Sequence, residues 1–197
     1  MIVEYKFKVT GVVPLIMHNG QTADPMNEWS KRIKKVTSKR QKTESDYEEL
    51  VKLEWFAGLY LNDEGKPCIP GEVVEGAFFE AAKKTKQGKL SKSCIFSEGN
   101  FTIEESENTT LDDLFLLPVS RLTCSVVVNG KRVVRTRPKF EAWSAVVSVW
   151  SDDSVLNDEE VVRIMKTAGL SCGFCDWRPR FGRFGVELLS TEKKEAA

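Results

Sequence analysis

Apolar and polar side chains alternate near both ends of the chain, which is the pattern of β-strands with one buried face. In the first predicted strand, over 2–12, every second side chain is apolar as far as Val9. A valine-rich segment predicts another strand over 143–150, and a last strand is predicted over 184–189. We expect the residues after it, 191–197, to form a frayed tail.

Apolar residues at helical spacing predict four helices in the interior of the chain. The helices cover residues 26–37, a segment that follows Ser45, residues 73–84 and residues 158–168. Ser45 with Glu48 has the spacing of a capping box and should begin the second helix. Asn157 with Glu160 does the same for the fourth helix, which Gly169 should end.

Turn residues between apolar segments predict two β-hairpins. The first would join 58–61 to 67–69, and the second would join 122–128 to 132–136. The second is the clearer one, because its Asn129-Gly130 dipeptide suits a type I′ turn. Short strands are also predicted over 94–96 and 100–103, ahead of an acidic loop over 104–113.

The order of these elements predicts an α+β fold. If the segment from about 14 to 65 is treated as an inserted helical segment, the remaining order is βαββαβ, which is typical of a ferredoxin-like or RRM-type core with extra β-hairpins. We see no internal repeat or low-complexity linker in the sequence. A single domain over 1–190 is therefore predicted.

The composition limits the class of protein and its expected cellular location. Apolar residues make up 41% and charged residues 29% of the 197 residues, which is ordinary for a folded domain. No apolar stretch is long enough for a membrane helix, and residues 1–6 lack the layout of a signal peptide. The five cysteines are scattered and do not predict a disulfide framework. We therefore expect a cytoplasmic protein without membrane partners.

The net charge is zero, but the charges are segregated along the chain. Acidic residues concentrate at 104–113 and 152–160, and basic residues form four runs. The runs contain Lys31, Arg32, Lys34, Lys35, Lys39, Arg40 and Lys42; Lys83, Lys84, Lys86, Lys89 and Lys92; Lys131, Arg132, Arg135, Arg137 and Lys139; and Arg178, Arg180 and Arg183. Such segregation can give a neutral protein a positive face that binds a polyanion. The alternative is that each run is solvated surface.

The segment 173–185 combines three glycines, four aromatic residues and three arginines. Arginine pairs with phosphate in a fixed fork, and aromatic rings offer stacking surfaces to bases. We predict that Arg178, Arg180 and Arg183 bind phosphates and that Trp177 or Phe181 stacks on a base. Phe184 is expected in the core. The alternative is a tight turn whose aromatic residues all belong to the core.

Arg135 and Arg137 repeat this chemistry on a predicted strand. Alternation places both on one face, about 7 Å apart, which is close to one phosphate step. They are predicted to bind the nucleic-acid backbone together with Lys31, Arg32, Lys34, Lys35, Lys39, Arg40, Lys83 and Lys84. The alternative is an edge strand protected by charge.

The loop that follows the first strand contains the single histidine, His18, and Asp24. These two residues are weak catalytic candidates for acid–base chemistry on a ribose 2′-OH. Neither a second histidine nor a carboxylate pair supports them, so we predict a protein that is not an enzyme. A metal-independent ribonuclease that uses His18 is the alternative.

Cys172 and Cys175 form a lone CxxC motif. A zinc site would need two further ligands, and the other cysteines have no matching spacing. The sequence also has no phosphate-binding loop, no dinucleotide fingerprint and no clustered carboxylates. We therefore predict buried thiols, no metal and no cofactor.

Two stretches of the sequence resemble known families. Residues 69–77, Ile-Pro-Gly-Glu-Val-Val-Glu-Gly-Ala, resemble the helix opening I-P-G-S-S-L-K-G of the RAMP superfamily, the Cas7-like backbone proteins of CRISPR effectors, and the glycine-rich loop 173–185 lies where that superfamily carries one. Together with 15–21, 135–138 and 176–182, these residues look like a family of small phage proteins. Glu75 departs from the superfamily pattern, which often has lysine there.

The resemblance implies a modified RRM fold, a homo-oligomer that assembles along a single strand, and the cytoplasm of a host cell as the location. It also implies that the glycine-rich loop lines the groove and that Asp24 is the candidate for the aspartate of RNA-cleaving members. Our hypothesis is a sequence-tolerant binder of single-stranded RNA or DNA. A phage interaction or assembly protein that contacts acidic protein partners is a further alternative.

Overall fold

The computed structural model describes residues 1–128 and 130–194 and has an α+β architecture with antiparallel sheets, which confirms the predicted class. The strands are β1 (Ile2–Gly11), β2 (Leu15–Ile16), β3 (Cys68–Pro70), β4 (Ile95–Phe96), β5 (Asn100–Thr102), β6 (Arg121–Val128), β7 (Lys131–Phe140), β8 (Ser144–Asp152) and β9 (Phe184–Lys194). The helices are α1 (Glu28–Thr37), α2 (Glu44–Gly58), α3 (Gly71–Lys84), α4 (Gly88–Cys94), α5 (Leu111–Leu116) and α6 (Asp158–Ser171). None of the helices in the described residues is long and apolar enough to cross a membrane.

The chain divides into two compact units. The first contains Met1–Leu15, Leu61–Asn108 and the described part of Glu141–Ala197, and the second contains Ile16–Tyr60 and Thr109–Phe140. The segment Ile16–Tyr60 of the second unit lies within the insertion predicted over about 14–65, and the hairpin of β6 and β7 belongs to the same unit. The single domain over 1–190 stays a prediction.

The first unit is built on a four-stranded sheet in the order β4-β8-β1-β9, with antiparallel pairing throughout. The alternation seen in the sequence buries Val3, Tyr5, Phe7 and Val9 completely on one face of this sheet. Helices α3 and α6 contact each other, and they also contact β8 and β9 respectively. The core of the unit therefore lies between the sheet and these two helices.

The end of the chain differs from the prediction. Strand β9 continues to Lys194, which pairs with Ile2, so the frayed tail predicted from residue 191 is wrong for 191–194. The reason is that β1 begins at residue 2 and offers hydrogen-bonding partners along this whole length. Residues 195–197 of the predicted tail lie outside the described residues.

Gly169 does not end a helix. Helix α6 continues to Ser171, and Gly169 is buried within it, where an added Cβ would overlap the carbonyl oxygen of Phe184. The glycine therefore allows the helix to approach β9 closely. The first residue with left-handed backbone after the helix is Gly173, whose φ is 82° and whose amide donates to the Ala168 carbonyl at 2.8 Å.

Two local predictions require correction. The capping box of α2 is formed by Thr43 and Asp46, whose side chains each accept a hydrogen bond from the other's backbone amide, and not by Ser45 and Glu48. The hairpin predicted over 58–69 is reduced to a single bridge between Leu61 and Pro67, because Pro67 has no amide to donate. Strand β3 pairs with β5 instead.

The second unit combines α1 and α2 with the hairpin of β6 and β7, and α2 contacts both α1 and β7. Its core includes the fully buried Trp55, whose indole nitrogen donates to the Ser120 carbonyl at 2.8 Å. Helix α5 lies at the end of the segment that was predicted to be an acidic loop. Asn129 of the predicted Asn129-Gly130 turn lies outside the described residues.

Candidate nucleic-acid interface

The glycine-rich loop of the first unit is closed by its own backbone. The Phe174 amide donates to the Gly182 carbonyl at 2.9 Å, and the Gly182 amide donates to the Pro14 carbonyl at 2.8 Å. Gly182 has a φ of 73°, and a Cβ there would overlap the Phe174 carbonyl oxygen. Glycine is therefore required at this closure, and it leaves residues 177–180 exposed at the tip of the loop.

The four aromatic residues of the loop form two separate pairs. Phe174 and Phe184 are buried and stack with their ring centroids 4.1 Å apart, so Phe184 belongs to the core as predicted. Trp177 and Phe181 stack at 6.0 Å with an angle of 25° between their planes. Trp177 is 38% exposed, so this second pair presents an aromatic surface to solvent.

Basic side chains surround the exposed aromatic pair. The Arg180 guanidinium lies 5.7 Å from the centre of the Phe181 ring. Arg178, Lys83 and Lys84 line a cleft of about 680 Å³ that also includes Trp177. The structure thus brings together residues from two of the predicted basic runs. We call this set the loop surface; it consists of Lys83, Lys84, Trp177, Arg178, Arg180 and Phe181.

Two carboxylates that line the same cleft reduce the net charge of the loop surface, and its basic side chains make further contacts. Arg178 lies 3.4 Å from a carboxylate oxygen of Glu80, and the Lys84 ammonium donates to the Ser171 carbonyl at 3.0 Å. Arg183 is partly buried, its Nε atom is inaccessible to solvent, and its carbonyl accepts from the Val12 amide at 2.9 Å. Arg183 therefore differs from the other two arginines, which stand at the exposed tip.

The second unit contains a cleft of about 410 Å³. Lys34 of α1 and both Arg135 and Arg137 of β7 line it, so the two arginines face the same space, as the alternation predicts. We call this space the cationic cleft. Its further polar lining residues are His18, Thr22, Ser30, Thr37, Glu54 and Thr136.

A buried carboxylate holds the strand side of the cationic cleft. The Glu54 side chain is 8% exposed and accepts hydrogen bonds from the Arg135 guanidinium and from the Thr136 amide, both at 2.8 Å. Burial raises the pKa of Glu54 against the opposing effects of the amide and of the two arginines. Glu54 was not predicted as a site residue; its signal in the sequence is a charged residue inside the apolar stretch 53–56.

The basic run begins on α1, extends beyond the end of this helix, and points in several directions. Lys34 lines the cleft, whereas the Arg32 guanidinium lies 5.1 Å from the ring of Trp29. Lys39 forms an ion pair with Asp46, which lowers the pKa of that carboxyl to about 2. Lys31, Lys35 and Arg40 are exposed, and Lys42 is partly buried. A helix turns about 100° per residue, so a continuous run of charges cannot face one ligand.

The two weak catalytic candidates occupy different positions. His18 is exposed and lines the cationic cleft, and its carbonyl accepts from the Tyr60 hydroxyl at 3.1 Å. Asp24 is exposed, does not line the cleft, and accepts from the Met26 amide at 2.8 Å. The turn at Asp24 gives this carboxylate a local structural role. The ribonuclease alternative stays a prediction.

The CxxC cysteines lie at the base of the loop. Cys172 is buried as predicted, whereas Cys175 is only partly buried; desolvation of its thiol raises the pKa of Cys175 to about 12. A thiol with so high a pKa is a poor nucleophile. In the part of the chain that the structure describes, no three His, Cys, Asp or Glu side chains are placed to hold a metal ion.

The motif at 69–77 has a structural explanation in the first unit. An added Cβ on Gly71 would overlap the Ser97 carbonyl oxygen, and the Glu75 carboxylate accepts from the Ser97 amide at 2.7 Å. Both residues thus fix the start of α3 against the chain that follows β4. Glu75, which departs from the superfamily pattern, is engaged here with backbone.

Comparison of the sequence with models of protein families and with curated proteins finds no match.

Proposed function

We propose that the first unit binds single-stranded nucleic acid through the loop surface, largely independently of base sequence, and that it does so as a binding protein and not as an enzyme. One observation carries the proposal: the exposed stack of Trp177 on Phe181 is flanked by four basic side chains. This arrangement suits a single-stranded nucleic acid, because its unpaired bases can stack on the exposed aromatic rings and its phosphates can pair with the neighbouring cations.

The stacking step favours single strands. A base stacked on Trp177 would have to leave its own helical stack, which is inexpensive in a single strand and costly in a duplex. Every base has a π-face, so an aromatic surface of this kind is tolerant of sequence. The loop closure at Gly182 holds the aromatic pair in place before the ligand arrives.

The cations of the loop surface supply the phosphate contacts. Lys83 and Arg180 are exposed, and the pair between Arg178 and Glu80 is a surface ion pair at 3.4 Å. Such pairs are worth at most about 1 kcal/mol, so a phosphate group can replace the carboxylate. Arg178 therefore counts among the phosphate ligands that we propose.

The strand order of the first unit supports a ferredoxin-like or RRM-type core. A βαββαβ chain of that kind places its first and third strands side by side in the centre, as β1 and β8 are placed. RRM proteins bind RNA on the sheet. Lys6 and Lys8 of β1 form surface ion pairs with Glu192 and Glu104, which a phosphate could also replace, so our assignment of the nucleic acid to the loop surface rests on the exposed aromatic pair. Assembly along the strand and a place in the host cytoplasm remain proposals from the family resemblance.

The direct test is a binding titration with single- and double-stranded RNA and DNA of equal length at two salt concentrations. We expect single strands of both kinds to bind, with a log–log salt slope of about −0.7 for each phosphate contact. The double variant Lys83→Ala/Lys84→Ala should weaken binding and reduce the slope by about 1.4.

Lys89→Ala/Lys92→Ala is the matched control, because it removes the same charge from exposed positions of α4 in the same unit. We expect the salt slope of this control variant to equal that of the wild type within experimental error. A flat salt response, or equal losses in the two double variants, would contradict the proposal. Absence of binding at low salt would favour the alternative of a protein interaction module.

A further inference from the structure

We propose that the cationic cleft of the second unit is a separate site for a phosphomonoester, supplied either by the terminal phosphate of a strand or by a free nucleotide. This inference goes beyond the proposed function of the first unit and does not depend on it. It rests on the charge, the rigidity and the size of the cleft.

The charge of the cleft favours a dianion. Its lining cations are Lys34, Arg135 and Arg137, and its lining carboxylate is Glu54. The formal balance of these four residues is positive even with Glu54 ionised. A phosphomonoester carries a charge of about −1.5 to −2 at neutral pH, which is more than the single charge of an internal phosphodiester. The cleft should therefore prefer an end or a nucleotide to the middle of a strand.

The strand side of the cleft is organised in advance. Glu54 fixes one end of the Arg135 guanidinium, and it also binds the Thr136 amide between the two arginines, so β7 cannot shift without losing a buried contact. Arginine recognises phosphate oxygens through a planar fork, and less entropy is lost when that fork is already oriented. Thr22 lines the same space and its hydroxyl can donate to a further oxygen, whereas the Ser30 and Thr37 hydroxyls already donate to the Thr22 and Lys34 carbonyls.

The size of the cleft suits a compact ligand. Its volume of about 410 Å³ lies near the lower end of the range of roughly 300–1,000 Å³ that is usual for small-molecule sites. A nucleoside monophosphate or a strand end fits such a space, whereas a continuous strand needs an open groove. The loop surface of the first unit offers the exposed aromatic rings that this cleft lacks among its lining residues.

The experiment uses the full chain and measures binding by calorimetry for two groups of ligands. The first group is adenosine monophosphate, adenosine and inorganic phosphate. The second group is one oligonucleotide with a 5′-phosphate, with a 3′-phosphate, or with hydroxyl groups at both ends. We expect adenosine monophosphate to bind and adenosine not to bind, or a phosphorylated end to raise the affinity of the oligonucleotide about tenfold. The first result identifies a free nucleotide as the source, and the second identifies a strand end.

Lys34→Glu and Lys35→Glu form a matched pair, because both reverse one exposed charge on α1 and only Lys34 lines the cleft. Lys34→Glu should lower the affinity for the phosphorylated ligand about tenfold or more, and Lys35→Glu about twofold or less. Equal losses in the two variants would overturn the assignment. Equal binding of phosphorylated and unphosphorylated ligands would overturn it as well.

The loop surface provides an independent reference. Trp177→Ala should reduce the affinity for all three oligonucleotides by the same factor and leave the binding of adenosine monophosphate unchanged. If the proposed function is wrong, the oligonucleotide with hydroxyl groups at both ends should not bind. Failure of this inference would appear as the absence of any preference for a terminal phosphate.

Discussion

The loop surface and the cationic cleft use the same basic residue types but build them differently. At the loop surface, Arg178 and Arg180 stand at the exposed tip of a loop that is closed by backbone at Gly182. In the cleft, Arg135 is held by a carboxylate that is itself 8% exposed. We propose that the exposed cations beside aromatic rings bind an extended polyanion and that the arginines beside the fixed carboxylate bind a compact anion. The surroundings of an arginine therefore indicate its ligand better than its presence does.

The largest effect should come from breaking the closure of the loop. Gly182→Ala places a Cβ on the Phe174 carbonyl oxygen at a left-handed φ of 73°. We expect a loss of at least about 3 kcal/mol in the free energy of unfolding. Denaturant unfolding followed by tryptophan fluorescence measures it.

Gly76→Ala is the control for this substitution. Gly76 lies within α3 and has no atom within 4 Å of an added Cβ. It should be neutral or stabilise the protein by up to about 1 kcal/mol, since alanine is the better helix former. If Gly182→Ala were as mild as Gly76→Ala, the rigid loop closure would be refuted.

The next effect concerns the carboxylate of the cationic cleft. Glu54→Ala leaves the Thr136 amide without its partner and frees the Arg135 guanidinium. We expect a loss of about 2 kcal/mol in stability, measured by denaturant unfolding. Glu48→Ala, an exposed position of the same helix, should cost much less. Equal losses would show that Glu54 does not hold the strand.

Glu54 also gives a pH dependence with a defined sign. Because burial raises its pKa in the folded state above the ordinary 4.5, the folded protein binds this proton more tightly than the unfolded chain. The resulting stability is fully present below pH 4.5 and is lost as the pH rises through the folded pKa. Relative to Glu54→Gln, the wild type should therefore become less stable over this window. An unchanged difference between pH 4 and pH 8, or one of opposite sign, would contradict the raised pKa.

Removing the exposed aromatic ring should affect binding and not stability. Trp177 is 38% exposed and stacks on Phe181. Trp177→Ala should weaken binding of a single strand about tenfold, the loss expected for one base–aromatic stack. Tyr47→Ala removes an aromatic side chain that is 58% exposed in the second unit and is the control. A similar affinity for both variants in a fluorescence anisotropy titration would exclude the stacking role.

The smallest effects are expected from members of the first basic run that do not line the cationic cleft. Lys39 is already paired with Asp46, and Lys31 is exposed outside the cleft. Lys31→Ala and Lys39→Ala should each change the affinity for a single strand by about twofold or less at physiological salt. A loss of tenfold in either variant would show that the helical run binds the strand directly.

The sequence predicts the main strands and helices of the fold well. Period-two alternation locates β1, and the capping box of Asn157 with Glu160 is confirmed at the start of α6. These signals are local, so the sequence contains them in full. The prediction that Gly169 ends a helix is wrong because this glycine allows α6 to pack closely against Phe184 of β9. That contact joins residues that are distant in the sequence.

The candidate sites were predicted only in part, for a similar reason. The sequence shows how many basic residues a run contains but not which way each one points, so it could not separate Lys34 from Lys31 and Lys35. It also grouped four aromatic residues that the structure divides into a core pair and an exposed pair. Glu54 was missed because its partners lie about 80 residues further along the chain, as the separations of 81 and 82 residues show.

The most direct test of the central claim is ultraviolet crosslinking of the full chain to single-stranded RNA, followed by mass spectrometry of the crosslinked peptides. The proposed function predicts that nucleotides attach to the peptide spanning 173–183, at Trp177 or Phe181. If a complex forms in solution but its crosslinks lie wholly outside this peptide, the loop surface is not the binding site.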